Sequence, residues 1–323
     1  MKAFSLVNAI KSTTGPISIG GGKFSMGGQT GYENSLHLDL REFNKVVTLD
    51  TVKKQVTVQP GIAWRDLQKV IDAHNLSIKI MQTYANFTVG GSLSVNCHGR
   101  YIGHGPIISS VVEIKIVTAS GELITANRTE NADIFAATIG GYGGIGVIVE
   151  ATLQLADNVK VERQTKLVAV NDYNDFFDKE IRNDKDVIFQ NGDLYPPNFD
   201  MINNVCWKKT DKELTDTERI TLEGENYWIE RQVMKLVSSG KFGKWLRRKM
   251  IDPLNYSSEK VTWRNKEASY DVHELEPSSR KDQTYVLQEY FIPVNNIKSF
   301  IPKMKAVYDK YDVNVINVSL RGV

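Results

Sequence analysis

Only two cysteines, Cys97 and Cys206, occur in a chain of 323 residues. That scarcity excludes a disulfide framework, and no Cys/His spacing resembles a zinc template; even Cys97, His98 and His104 fit no common ligand pattern, so no metal is expected. Net charge is equally scarce, +2 from 40 basic and 38 acidic residues, too balanced to point to a nucleic-acid partner or an acidic substrate. Long apolar runs are missing as well. Nothing approaches the roughly 20 residues of a transmembrane helix, and the opening MKAFSLVNAIKSTTG lacks the apolar stretch and cleavage site of a secretory signal. A reducing, cytoplasmic setting is the expectation. Internal repeats and low-complexity segments are absent too.

What is present divides near residue 156. Residues 1–155 are dense in glycine, with short strands alternating with turns, and 156–323 are dominated by charged helical segments. In the first part, 4–11 reads as a helix and Ile17-Ser18-Ile19 as a strand. VVTLD and QVTVQ form the β-branched arms of a hairpin at 44–60, turning at Asp50-Thr51. Trp64, Leu67, Val70 and Ile71 have helical spacing over about 64–74. Strands are expected at 111–118, at GELIT and at 145–155. In the second part a helical stretch covers 227–250, strands cover 284–292 and 313–320, and a helix lies between them at 295–310. Strand, helix and strand with one long helical insertion indicate an α+β domain. The chain's length also favours two domains.

The glycines carry the chemistry. GGGKFSMGGQ at 20–29 follows a strand, where missing Cβ atoms let backbone N–H groups approach a phosphate. It is no P-loop, since Gly22-Lys23 is followed by Phe24 instead of Ser or Thr. GGYGGIG at 140–146 contains G-x-G-x-x-G, but a strand, VIVEATLQL, follows it where a Rossmann fingerprint would open a helix. A lone glycine run would be a set of tight turns; several, each beside a strand, indicate a phosphate trough.

The ordered set GGGKFSMGGQ, VQPGIAWRDL, TVGGSLSVNCHGR and GGYGGIGVI resembles the FAD-binding domain of the vanillyl-alcohol oxidase (PCMH-type) superfamily. Within it the chain is most similar to the branch of aldonolactone and alditol oxidases and decaprenylphosphoryl-ribose oxidase. The likeness is strong over 4–155 and looser over 284–321. It implies an α+β fold: an FAD-binding domain of two small α+β subdomains over 1–155, then an α+β substrate (cap) domain over 156–323. Against that pattern the chain looks trimmed at both ends, with the cap incomplete.

The resemblance also implies roles. Gly20, Gly21, Gly22, Lys23, Phe24 and Ser25, continuing through Met26, Gly27, Gly28 and Gln29, would wrap the FAD pyrophosphate. Thr83, Thr88, Val89, Gly90, Gly91 and Ser92 would form a second loop along pyrophosphate and flavin. Val95, Asn96, Cys97, His98 and Gly99 would run beneath the isoalloxazine, with His98 at its polar edge, and the Ile148 backbone would meet the adenine. Both glycine loops are expected between strands and not at a helix start. Where many relatives carry a histidine bonded to the flavin stands Phe24, so FAD is expected to be non-covalent.

The implied activity is oxidation of a CH–OH group of a sugar, polyol or sugar lactone by hydride transfer to flavin N5, with oxygen or another acceptor taking the electrons. Alternatives are a lipid-linked sugar oxidase forming half of an epimerase, or a flavin-binding fragment without catalysis. On TYVLQEYFIP, alternation sets Leu287, Glu289 and Phe291 on one face and Val286, Gln288 and Tyr290 on the other. Relatives carry a polar residue four positions before the proline, which here is Glu289; it is the candidate base, with Gln288 the fallback. Arg321, sharing a face with Asn317 and Ser319, could hold a hydroxyl or the flavin's anionic edge. The basic, aromatic helix at 227–250 is read first as a solvated cap helix with one buried face, and second as a contact for an anionic membrane.

Overall fold

The computed structural model describes residues 3–25, 27–222, 224, 227–238, 240–275, 281 and 286–322. The order is α1 (Ala3–Lys11), β1 (Ile17–Gly20), β2 (Leu36–Asp39), β3 (Val46–Asp50), β4 (Gln55–Val58), α2 (Trp64–Asp72), β5 (Leu76–Ile78), α3 (Val89–Ser94), β6 (Val111–Val117), β7 (Leu123–Asn127), α4 (Ala132–Thr138) and β8 (Val147–Asp157). Then follow β9 (Lys160–Ala169), α5 (Tyr173–Glu180), β10 (Val187–Leu194), β11 (Met201–Lys209), α6 (Trp228–Ser238), α7 (Lys241–Leu246), a π-turn (Arg247–Ile251), α8 (Asp252–Ser257), β12 (Val261–Trp263), α9 (Arg264–Glu267), α10 (Ile297–Lys310) and β13 (Val318–Leu320). Among the described residues no helix is long and apolar enough to cross a membrane.

The strands make three sheets. β1 and β2 form a parallel pair; β3-β4-β8-β6-β7, with β5 also paired to β8, form a second sheet; and β12-β9-β11-β10-β13 form a third. The hairpin arms pair as their β-branched residues predict, Leu49 opposite Val56 and Asp50 opposite Gln55. On α2, Trp64, Leu67 and Ile71 are fully buried at helical spacing, while Val70 lies off that stripe and is 41% exposed. The second sheet ends at Asp157 and the third begins at Lys160.

Two expected strands differ. Of the strand expected at 284–292, residues 284 and 285 lie outside the described residues and 286–292 form no strand, because no ladder neighbour flanks them among the described residues; of the strand expected at 313–320 only 318–320 pairs. The stretch 227–250 is not one helix: Gly240, at φ 89°, breaks it between α6 and α7. The strands β9 to β11 carry polar residues on both faces of their runs and are not evident from alternation alone.

One core joins the second and third sheets, since Val161, Phe189, Val205 and Trp207 of the third sheet pack into the same cluster as Trp64, Leu93, Ile114 and Ile116. A buried ion pair crosses this junction. Arg100 donates from Nη1 to Glu267 Oε1 (2.6 Å) and from Nη2 to the Glu267 carbonyl (2.8 Å), and Tyr270 donates its hydroxyl to the same carboxylate at 2.6 Å. The side chains are 7% and 2% exposed. Removing one partner strands a buried charge. Glu267→Ala is therefore expected to cost about 3–5 kcal/mol of stability in urea unfolding; a loss below ~1 kcal/mol would show that the pair is not buried in solution.

Candidate functional site

The first glycine run leaves β1 at Gly20 and turns through Lys23, whose φ is 61°. A Cβ on Gly21 would lie 2.4 Å from Thr88 Oγ1, so the loop rests directly on the second one. Phe24 packs edge-on against Phe87, ring centroids 4.9 Å apart. The amide N–H groups of Gly21, Gly22, Lys23, Phe24 and Ser25 have no acceptor among the described residues. Five consecutive uncommitted donors on a surface loop are what a doubly charged diphosphate requires. Gly27, Gly28 and Gln29 continue the loop in solvent, where Gly27 N–H donates to Gln29 Oε1 (3.1 Å). Met26 lies outside the described residues.

The second run corrects an expectation. Instead of linking strands, Val89–Ser94 is a short helix capped by Thr88, whose hydroxyl accepts from Gly91 N–H. The cap residue and the close approach of Gly90 to Pro60, where a Cβ would sit 2.6 Å from the proline ring, make the helix possible. Its amides are committed: Val89 donates to Ile62 O (2.9 Å), Gly90 to Pro60 O (2.7 Å) and Ser92 to Thr88 O (3.0 Å). This segment therefore supplies shape and side chains, and the first loop supplies the free donors. Trp64 Nε1–H donates to Ser92 Oγ (2.8 Å), and Ala85 N–H donates to Tyr270 O (2.9 Å), tying the segment to both halves of the chain.

Beyond α3, Val95 is 46% exposed, Asn96 Oδ1 accepts from Ile108 N–H (3.2 Å), and a Cβ on Gly99 would meet Met81 O at 2.1 Å. The Cys97 thiol donates to Gln82 Oε1 (3.1 Å) and is pushed up to about 12 by burial, which keeps it protonated and inert. The third run closes against the same place: Gly140 donates to Leu93 O and Tyr142 to Ser94 O, both at 2.9 Å, and a Cβ on Gly143 would touch Ile19 of β1 at 3.0 Å. Ile148 buries its side chain and pairs with Ile116; β4 pairs only with residues 151–154 of β8, leaving the backbone edge at Ile148 clear of β4. Two expected site residues carry buried polar atoms without a partner, Thr83 Oγ1 and His98 Nδ1. Free amides and orphaned polar atoms together fit a bound dinucleotide.

On the substrate side, His98 Nε2 lies 3.0 Å from Glu289 Oε1, and the His98 ring meets Phe291 edge-on at 5.7 Å. Tyr290 points the other way, to Phe300. Glu289 and Phe291 thus meet His98 while Tyr290 does not, in a segment without strand pairing among the described residues. Gln288 is exposed with no partner among the described residues. Arg321 is pushed below its ordinary value first by burial and then by Arg100, and is drawn back by Glu289, Tyr84 and Asp193; no carboxylate lies within ion-pair distance among the described residues. Its neighbours Arg100 and Tyr84 were not anticipated, although Arg100 directly follows the His98-Gly99 step.

A cleft of about 180 Å³ also went unanticipated, lined by Thr221, Tyr227, Lys266, Glu267, Tyr270 and Glu274 among others. Glu274 is pushed up to about 7 by burial, with Asp271 and Glu230 adding repulsion. No single motif marks this acid-rich cleft, because its walls come from separated segments. Among the described residues no His/Cys/Asp/Glu group could hold a metal ion.

Residues 4–127 match a family model described as FAD binding domain. The chain is 32% identical over 128 residues to L-gulonolactone oxidase of Bos taurus, covering 40% of this chain and 29% of that protein. It is 32% identical over 128 residues to L-galactono-1,4-lactone dehydrogenase 2, mitochondrial, of Oryza sativa subsp. japonica (40% and 22%). Cytokinin dehydrogenase 7 of the same plant is 32% identical over 105 residues (32% and 20%). The match thus spans less than a third of the length of each of these curated relatives.

A raised carboxyl is most favourable protonated, so Glu274 should add stability below its unfolded value of 4.5 and lose that contribution as pH rises through about 7. Glu274→Gln is expected to unfold later than the parent above pH 7, by about 1–2 kcal/mol, with the difference vanishing below pH 4.5. Thermal unfolding across this range measures it; a constant difference at every pH would contradict the assignment.

Proposed function

We propose that this chain, whose residues 4–127 match the FAD-binding domain family and whose cofactor is FAD, oxidises a CH–OH group of a sugar, polyol or sugar lactone. The observation that carries this reading is the row of uncommitted amides from Gly21 to Ser25 seated on Thr88, beside the His98–Glu289 pair. The lactone-named relatives favour the substrate class, while the cytokinin dehydrogenase shows that the FAD domain alone does not select it.

Bound FAD supplies a two-electron acceptor for a C–H bond beside a hydroxyl. The chain's own residues do the rest. The 21–25 amides would hold the diphosphate, and Thr83 Oγ1 and His98 Nδ1, buried without a partner, would contribute polar contacts to the cofactor. Glu289, 51% exposed and with Oε1 3.0 Å from His98 Nε2, receives the hydroxyl proton. Arg321, with its charge unpaired, holds a second hydroxyl or an anionic edge.

Phe24 offers no nucleophile for a flavin bond, so FAD is held non-covalently. Acid precipitation of the flavin-loaded protein is expected to leave the yellow colour in the supernatant; colour retained in the pellet would contradict this.

The substrate class is tested by anaerobic mixing with polyols and aldonolactones, which are expected to bleach the flavin. In Glu289→Gln, bleaching should slow by about 10²–10⁴-fold with FAD content unchanged. Bleaching by a lipid-linked sugar alone would replace the substrate class, and flavin that is bound but never reduced would leave a binding role only.

A further inference from the structure

We propose that the helical insertion α6–α8 is a docking surface for an anionic phospholipid membrane. Helices that serve as covers bury an apolar stripe. Here α6 buries only Val237, α7 only Gly243 and α8 only Asp252 among their described side chains. Turned outward instead are Ile229, Phe242, Trp245, Met250 and Leu254, each 50–68% exposed. Single exposed apolar residues are ordinary, but a cluster including rigid aromatics marks an interaction surface.

The aromatic ridge is held in place from beneath. Phe242 and Trp245 stack with ring centroids 6.0 Å apart and planes 24° from parallel. A Cβ on Gly243 would lie 2.0 Å from Leu236 O, so α7 is pressed onto α6 along its inner side. One turn further, Arg247 reaches inward to Asp252 (3.2 Å) and Asp193 (3.6 Å), and Arg248 pairs with Asp200 at 2.9 Å. Arg247 is thereby committed beneath the ridge and Arg248 to a surface pair beside it.

Charge selects the occupant. Residues 228–257 hold seven basic residues against two acidic ones, in a chain whose net charge is only +2. Arg247 and Arg248 are used internally, whereas Lys235, Lys241, Lys244 and Lys249 have no carboxylate partner among the described residues. Aromatic rings flanked by uncommitted lysines suit the bilayer interface, where rings sit at headgroup depth and ammonium groups reach lipid phosphates. A nucleic acid would satisfy the lysines and could stack on the rings, but would leave Ile229, Met250 and Leu254 in water.

The proposal is independent of the redox reaction and is tested without it. The full chain is sedimented with vesicles of phosphatidylcholine alone and with a fraction of phosphatidylglycerol. Binding is expected only to the second and should weaken as salt rises. Phe242→Ala with Trp245→Ala should reduce binding at least tenfold. Substitution of Lys241, Lys244 and Lys249 by Gln should reduce it by about fivefold per lysine, with circular dichroism and thermal unfolding unchanged in both variants. Absence of sedimentation with anionic vesicles overturns the proposal. So does binding that both variants retain, or capture of a single-stranded oligonucleotide without vesicle binding. A concentration-dependent dimer abolished by the aromatic variant, without vesicle binding, would instead assign the ridge to a second copy of the chain.

Discussion

Close approach of glycine backbone to neighbouring segments is the constraint on which this structure depends. Gly21 lies so near the Thr88 hydroxyl, Gly90 so near Pro60, and Gly99 so near the Met81 carbonyl that a methyl group at any of them would displace its neighbour. These contacts pull three chain segments, far apart in sequence, onto one place. They also divide the labour: amides in the helical second segment are consumed in holding it, and those of the first loop stay free. A surface loop with unspent donors is costly to bury and useful to an anion.

The second half of the molecule is attached to that place rather than laid beside it. Arg100 and Glu267 share a buried, doubly hydrogen-bonded pair, and Tyr270 and Asp271 hold the backbone at Ala85 and the side chain of Asn86. His98 stands two residues before Arg100, so the anchoring that joins the sheets also fixes the histidine that meets Glu289. Positioning at the candidate catalytic pair is thus a by-product of how the two sheets are locked together.

The helical insertion obeys a different economy. It spends its arginines inward, on Asp193, Asp252 and Asp200, and its lysines and aromatic rings outward. Arginine suits the inner role because its planar fork makes several directed bonds, while lysine keeps its charge at the end of a flexible stem. The same stretch is basic and aromatic in sequence, but which cations are committed is visible only from the partners the fold provides.

By itself the sequence determined the first glycine loop, the hairpin and the placing of Glu289 and Phe291 against Tyr290, because each of these is a local matter of missing Cβ atoms, β-branching or a period of two. Tertiary structure alone decided that Thr88 caps a helix, that residues 286–292 stay outside a sheet, and that Arg100, Tyr84 and the cleft around Glu274 gather near the site. Capping, strand pairing and burial of charge all need a second segment to arrive, and the spacing of one segment contains no record of where another will lie. For the same reason the sequence could offer His98 and Glu289 as separate candidates, while only folding across 190 intervening positions could set them 3.0 Å apart.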